Sequence, residues 1–313
     1  MTNRTLMLGL IVLGCLLPPS VSSTEGDVLP LGDGKISSGP QAGSVWTCQS
    51  EFRGGGAQRV GKWILSNGTW NPSGKIHVQG QVSWGEHQFS VSLSGTTRSI
   101  TGNGLPDHTT GVFPIQPGDP AAQYDRNPNR IQDQRYEFTL PATPTIARSP
   151  SCLPMGAIGI LKSGVVFFNA LDAAGRDGFA HEIQDACAGH PERQGRYHYH
   201  SLSPCVPDSG SGHSDLVGYA FDGFGVFGYR GQDGRELTNS QLDACHGHVH
   251  EILWDNKTVS LYHYHTTREY PYTLGCFSGT PAVRQRPKPP MFHEGPDRRP
   301  PFGRGGPPPP RPF

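Results

Sequence analysis

The tetrapeptide Tyr-His-Tyr-His occurs twice, at residues 197–200 and 262–265. Each copy follows an Asp-Ala-Cys-x-Gly-His run, residues 185–190 and 243–248, and each ends at a further cysteine, Cys205 or Cys276. Two copies of so unusual a string in matching context imply two related half-repeats. A strand alternates its side chains, so each copy presents two histidines on one face and two tyrosines on the other. The copies differ in detail. The first is more compact and carries Pro191-Glu192 where the second has Val249-His250.

The second copy reads as a hairpin. His248–Trp254 and Val259–His265 are strand-like runs around Asp255-Asn256-Lys257-Thr258. With Asn256-Lys257 as a two-residue loop, Trp254 opposes Val259, Ile252 opposes Leu261, His250 opposes His263 and His248 opposes His265. One face then carries apolar residues near the turn and four histidines beyond them. Buried imidazoles need partners, and neutral imidazole ligates zinc, copper, nickel and iron. The competing expectation is a His/Tyr hydrogen-bond network without an ion.

If the two copies face each other, His198 and His200 approach His263 and His265 to form one site or two neighbouring sites for copper or zinc. His248, His250, His181, His190 and Asp222 are further candidate ligands. Glu182, Asp222 and Glu251 are placed to orient a ligand or act as a base, and simple turn chemistry at Asp222-Gly223 is the alternative for Asp222. Turnover would require an open coordination position holding water.

Residues 1–23 read as an export signal: Arg4, an apolar Leu6–Leu17 run too short to span a bilayer, and small residues at 21–23. Beyond Cys15 there are six cysteines, 48, 152, 187, 205, 245 and 276, which in an exported chain read as a disulfide framework. Locality and the repeat favour Cys187–Cys205 and Cys245–Cys276, leaving Cys48–Cys152. Lys plus Arg equals Asp plus Glu at 26 each, so net charge gives no reason to expect nucleic acid or a membrane surface as partner. Glycines number 42 and prolines 30, which favours turns and strands over helices. Residues 24–95 form an amino-terminal β region, with strand-like pieces at 44–48, 61–65, 75–82 and 87–93. Asn67 and Asn256 each head an acceptor sequon for glycosylation. Residues 280–313 are rich in Pro, Gly and Arg with almost nothing to bury; they are expected to be a disordered tail, whose basic charge suits an extracellular-matrix or other anionic partner.

The motifs resemble the YHYH domain family of exported proteins. They comprise Asn103-Gly-Leu-Pro-Asp-His108, Asn127-Pro-Asn129, His181-Glu182, Gly189-His190, Gly195 to His200, Phe221-Asp222-Gly223, Leu242-Asp243, Gly247-His248, Tyr262–His265 and Tyr270-Pro-Tyr-Thr273. The chain departs from the family at Gly225–Gly228, where a proline and a tyrosine more usually follow Asp-Gly. The resemblance implies a domain over 96–279, an extracellular location, and a larger part for His108, His181 and Asp222; it implies no particular activity. The expected fold is mainly β, with antiparallel strands and hairpins, a histidine-rich core, three disulfides and few or no long helices. The expected function is binding of copper or zinc through clustered histidines. The alternatives are a metal-dependent extracellular hydrolase or oxidase, and a structural matrix protein without metal.

Overall fold

The computed structural model describes residues 28–209 and 211–282. The export signal expected at 1–23 and the Pro-rich segment from 283 onward lie outside the described residues.

The centre of the molecule is an eight-stranded sheet. In chain order its strands are β1 (Ala157–Leu161), β2 (Val166–Phe168), β3 (Gly189–Pro191), β4 (Tyr197–Tyr199), β5 (Leu216–Ala220), β6 (Gly225–Phe227), β7 (Gly247–Trp254) and β8 (Lys257–His265). Their spatial order is β3-β4-β2-β1-β5-β6-β8-β7. Each half-repeat makes a hairpin, a parallel pair and an antiparallel edge: β1–β2, β2–β4 and β4–β3, then β5–β6, β6–β8 and β8–β7. The halves join where β1 pairs antiparallel with β5, so one is turned end for end relative to the other.

This order rules out the arrangement in which the two Tyr-His-Tyr-His copies face each other, the condition under which their four histidines would share a site. β4 and β8 are separated by β2, β1, β5 and β6, about 24 Å at the usual strand spacing. The copies lie toward opposite ends of one sheet because each pairs in parallel with the hairpin of its own half.

The hairpin β7–β8 forms as expected, but its loop sits one residue earlier. Trp254 pairs with Lys257, Ile252 with Val259, His250 with Leu261 and His248 with His263. The loop is Asp255-Asn256, with φ of 49° and 62°. Two positive φ values define the type I′ turn that suits strand twist, and Asp and Asn accept them more readily than Lys257 would. The register moves by two residues, so every side chain keeps its expected face.

A three-stranded antiparallel sheet (Phe89–Ser94, Thr97–Gly102, Tyr136–Pro141) packs beside the central one. Arg98, 1 % exposed, leaves it to lie between the Tyr219 and Trp254 rings, 4.7 and 4.6 Å from their centroids. Its guanidinium donates to both carboxylate oxygens of Asp255 at 2.8 and 3.0 Å, fastening the hairpin tip. The stretch 75–82 makes isolated bridges at Val78 and Val82 instead of the expected strand. Gly80, at φ 108°, breaks its period-two pattern. The one α-helix among the described residues is α1 (Gly178–His181). The disulfides are Cys48–Cys152, Cys187–Cys205 and Cys245–Cys276. Asn67 and Asn256 are exposed.

Candidate metal centres

The tyrosines share one face of the sheet. Tyr197 donates to Asp185 at 2.8 Å and Tyr262 to Asp243 at 3.1 Å. The same carboxylates accept from the backbone N–H groups of Cys187 and Cys245, two residues on. Gly189 and Gly247 face these rings across the strand pair: a Cβ at either would overlap Tyr197 or Tyr262. The recurring Asp-Ala-Cys-x-Gly-His run is therefore a docking device. Its aspartate and glycine seat the tyrosines, and its histidine falls on the opposite face, toward the other imidazoles.

On that opposite face, in the second half, His263 and His265 of β8 meet His250 of β7 and His213, which precedes β5. Each ring donates through Nδ1 to a backbone carbonyl: His213 to Ser214 at 2.8 Å, His250 to Glu251 at 2.9 Å, His263 to Leu261 at 2.9 Å and His265 to Gly228 at 2.7 Å. A carbonyl can only accept, so Nδ1 carries the proton and a neutral ring must present a lone pair at Nε2. Burial foremost pulls His263 down to about 3 and holds His265 and His213 below their ordinary values, with neighbouring histidines adding to the effect. The Nε2 atoms converge, with His213–His265, His263–His250 and His263–His265 at 3.1, 3.2 and 3.2 Å. Lone pairs at that range repel unless a cation lies among them. Zinc at about 2.0–2.1 Å from four nitrogens would set them about 3.3 Å apart in a tetrahedron. His248 packs 4.5 Å from the His250 ring, with its buried Nε2 unpartnered.

In the first half, His190 of β3, His198 of β4 and His200 just past β4 meet Glu182, which follows α1. All four are buried. Glu182 Oε2 lies 2.9 Å from His200 Nε2 and 3.3 Å from His190 Nε2, yet these atoms lack the alignment of hydrogen bonds. They converge on a common space instead of aiming at one another. His200 Nδ1 donates to Asn169 O at 2.6 Å, and Asn169 follows β2 as Gly228 follows β6. Gly178 admits the His200 ring, since a Cβ there would lie 3.0 Å from Nδ1. Burial opposes charge on Glu182, but His190 and His200 outweigh it and hold the carboxyl well below its usual range. Burial also lowers His200, but Glu182 reverses this and raises it. Burial and the adjacent imidazoles hold His198 well below its ordinary value.

Residues 137–236 match the family model described as YHYH protein. The chain carries a YHYH domain. The match covers the first half with β5 and β6, a narrower span than the motifs distributed from Asn103 to Thr273, and it stops before the second Tyr-His-Tyr-His copy. No curated protein and no solved structure matches the chain.

Six of the residues expected as ligands, His190, His198, His200, His250, His263 and His265, fall in one or other cluster of this YHYH domain. Three take other positions. His181 Nε2 lies 2.8 Å from Asp33, paired across the chain. Asp222 is on the tyrosine face, accepting from Tyr264 at 2.5 Å and from the Gly279 N–H at 2.9 Å. His248 borders the second cluster without joining its four converging atoms. His108 likewise lies on the tyrosine face, with Nε2 2.6 Å from the Tyr199 hydroxyl. It adjoins Cys187 and Cys205, whose sulfurs are joined in a disulfide and offer no thiolate. Glu251 is exposed on the outer face of β7.

Sequence reasoning missed His213 and gave Glu182 a supporting part. The signal lay in the difference between the copies. Where the second has His250, the first has Glu192, so its fourth donor had to come from elsewhere.

Proposed function

We propose that this YHYH domain is an extracellular metal-binding module that holds two transition-metal ions, copper or zinc, at separate centres. One is formed by His213, His250, His263 and His265, the other by Glu182, His190, His198 and His200. The observation that carries the reading is the tautomer lock of the four-imidazole cluster. Four Nδ1 protons are committed to carbonyls, and the remaining lone pairs crowd within 4.8 Å of one another. A hydrogen-bond network without metal would need a donor among the Nε2 atoms, and neutral rings in this tautomer have none. Imidazole and carboxylate donors suit zinc and copper, and neither donor set contains a thiolate. Three disulfides and the expected export signal support an oxidising, extracellular setting.

Elemental analysis of the purified protein tests this. Wild type should carry close to two equivalents of copper or zinc, and a folded His263→Ala/His265→Ala variant close to one. Wild type that stays metal-free after incubation with both ions would sink the proposal.

A further inference from the structure

The two centres differ in what surrounds them. Glu182, His190, His198 and His200 form part of the wall of a cavity of about 540 Å³, within the range of small-molecule sites. Gly54–Gly56 and the Asp172-Ala173 turn form another part. Gly55 and Gly56, at φ 134° and 74°, fit closely against that turn, where a Cβ would lie 2.8 Å from Ala173 Cβ or Asp172 Oδ2. The donor set is also less rigid than its counterpart. Neither ring nitrogen of His190 makes a hydrogen bond among the described residues, and Glu182 contributes a single oxygen that can shift. In the other cluster all four imidazoles are pinned to carbonyls.

We infer that a metal at the Glu182 centre keeps a coordination position facing this cavity and takes a monocarboxylate from solvent, with Arg193 as the second anchor. The inference rests on the metal-binding reading. Arg193 is exposed on the cavity wall and forms no ion pair among the described residues. The wall carboxylates Asp172 and Glu192 are neutralised by Arg176 at 2.7 Å and Arg196 at 2.8 Å. Asp125 is the wall carboxyl with no Arg or Lys partner among the described residues. A divalent ion and Arg193 set against Glu182 and Asp125 leave one positive charge, which suits a monocarboxylate better than a phosphate dianion. Carboxylate is also an oxygen donor that Arg recognises in a planar fork. Phe168, Leu171 and Met155 supply an apolar wall for the ligand's hydrocarbon part.

The test uses the full-length secreted protein loaded with copper(II), after its metal content is measured. His263→Ala/His265→Ala leaves only the cavity centre; His198→Ala/His200→Ala leaves only the four-imidazole centre. Azide and butyrate should change the copper absorption and paramagnetic spectra of the first variant and leave the second unchanged. Arg193→Ala should weaken butyrate about tenfold, the size of one charged hydrogen-bonded contact, with azide changed less than about twofold. Phosphate should bind more weakly than butyrate. A first variant blind to both anions, or a second that responds equally, would overturn the inference with metal binding intact. Copper absent from both variants and from wild type would instead remove the metal reading itself. If either variant fails to fold, wild type carrying two coppers decides: azide should shift one of two copper signals, and a shift of both or neither counts against the inference.

Discussion

The two halves of the central sheet share a strand plan and differ in how they hold histidine. In the first, a carboxylate sits among three imidazoles, so charge within the cluster is compensated. In the second, imidazoles crowd together with no carboxylate in the converging set. Both halves thus keep the backbone device, tyrosine seated on aspartate and glycine, and the two Tyr-His-Tyr-His histidines, while the other two converging groups differ: Glu182 and His190 in the first half, His213 and His250 in the second. The same β geometry supports both because the tyrosine face carries the docking and leaves the histidine face free to diverge.

The largest contrast is expected under acid in the metal-free protein. Burial pulls His246 and His263 down to about 3. Between about 3 and 6.5 each binds a proton when unfolded but not when folded, so the second half loses stability as pH falls through that window. In the first half His200 is raised, so its contribution is fully present below 6.5 and is lost only as pH rises through its folded value. Glu182, being lowered, stabilises above 4.5 and loses this only as pH falls further. His198 alone among these three follows the second half's pattern. Hydrogen exchange at pH 5 should therefore show residues 244–266 opening well before 187–202. Simultaneous opening would erase the distinction.

The disulfides give a smaller difference. Cys245–Cys276 spans 31 residues and Cys187–Cys205 spans 18. By loop-closure entropy, alanine at both cysteines should cost about 3–4 kcal/mol in the second half and about 3 kcal/mol in the first. Urea denaturation of the two double variants measures this, and a much larger loss in the first half would mean that staple has a further role.

Smaller still is the effect of one tyrosine hydroxyl. Tyr264→Phe deprives the buried Asp222 carboxylate of a donor and should cost about 2 kcal/mol. Tyr199→Phe, whose hydroxyl meets His108 and more distantly Ser163, should cost about 1 kcal/mol. Burial raises Asp222 to about 6. Its contribution to stability therefore declines as pH rises from about 4 to 6, and Asp222→Asn should flatten that part of the pH–stability curve.

Much of this was legible in the sequence. Alternation in Tyr-His-Tyr-His fixed the faces, Asp222-Gly223 marked a turn that forms between β5 and β6, and the mainly β, disulfide-bonded character followed from composition and cysteine spacing. What escaped depends on long-range order. Parallel pairing of β4 with β2 and β8 with β6 leaves no local mark, so whether the copies meet could not be decided from the sequence. His213 escaped for a related reason: it precedes β5, far in sequence from the strands whose histidines it joins. Register slipped at Asp255-Asn256 because either of two overlapping dipeptides could form the loop, and the choice rests on which residues tolerate positive φ.

The carbonyl lock on the four imidazoles also governs proton release. With the ring proton held at Nδ1, a neutral ring offers Nε2 directly, so an ion entering among neutral rings would displace no proton. At the other centre Glu182 raises His200, so an ion there would have to displace whatever proton His200 carries at Nε2. The two clusters should therefore differ in the protons released if each takes an ion, and calorimetry in buffers of differing ionisation heat would measure that difference.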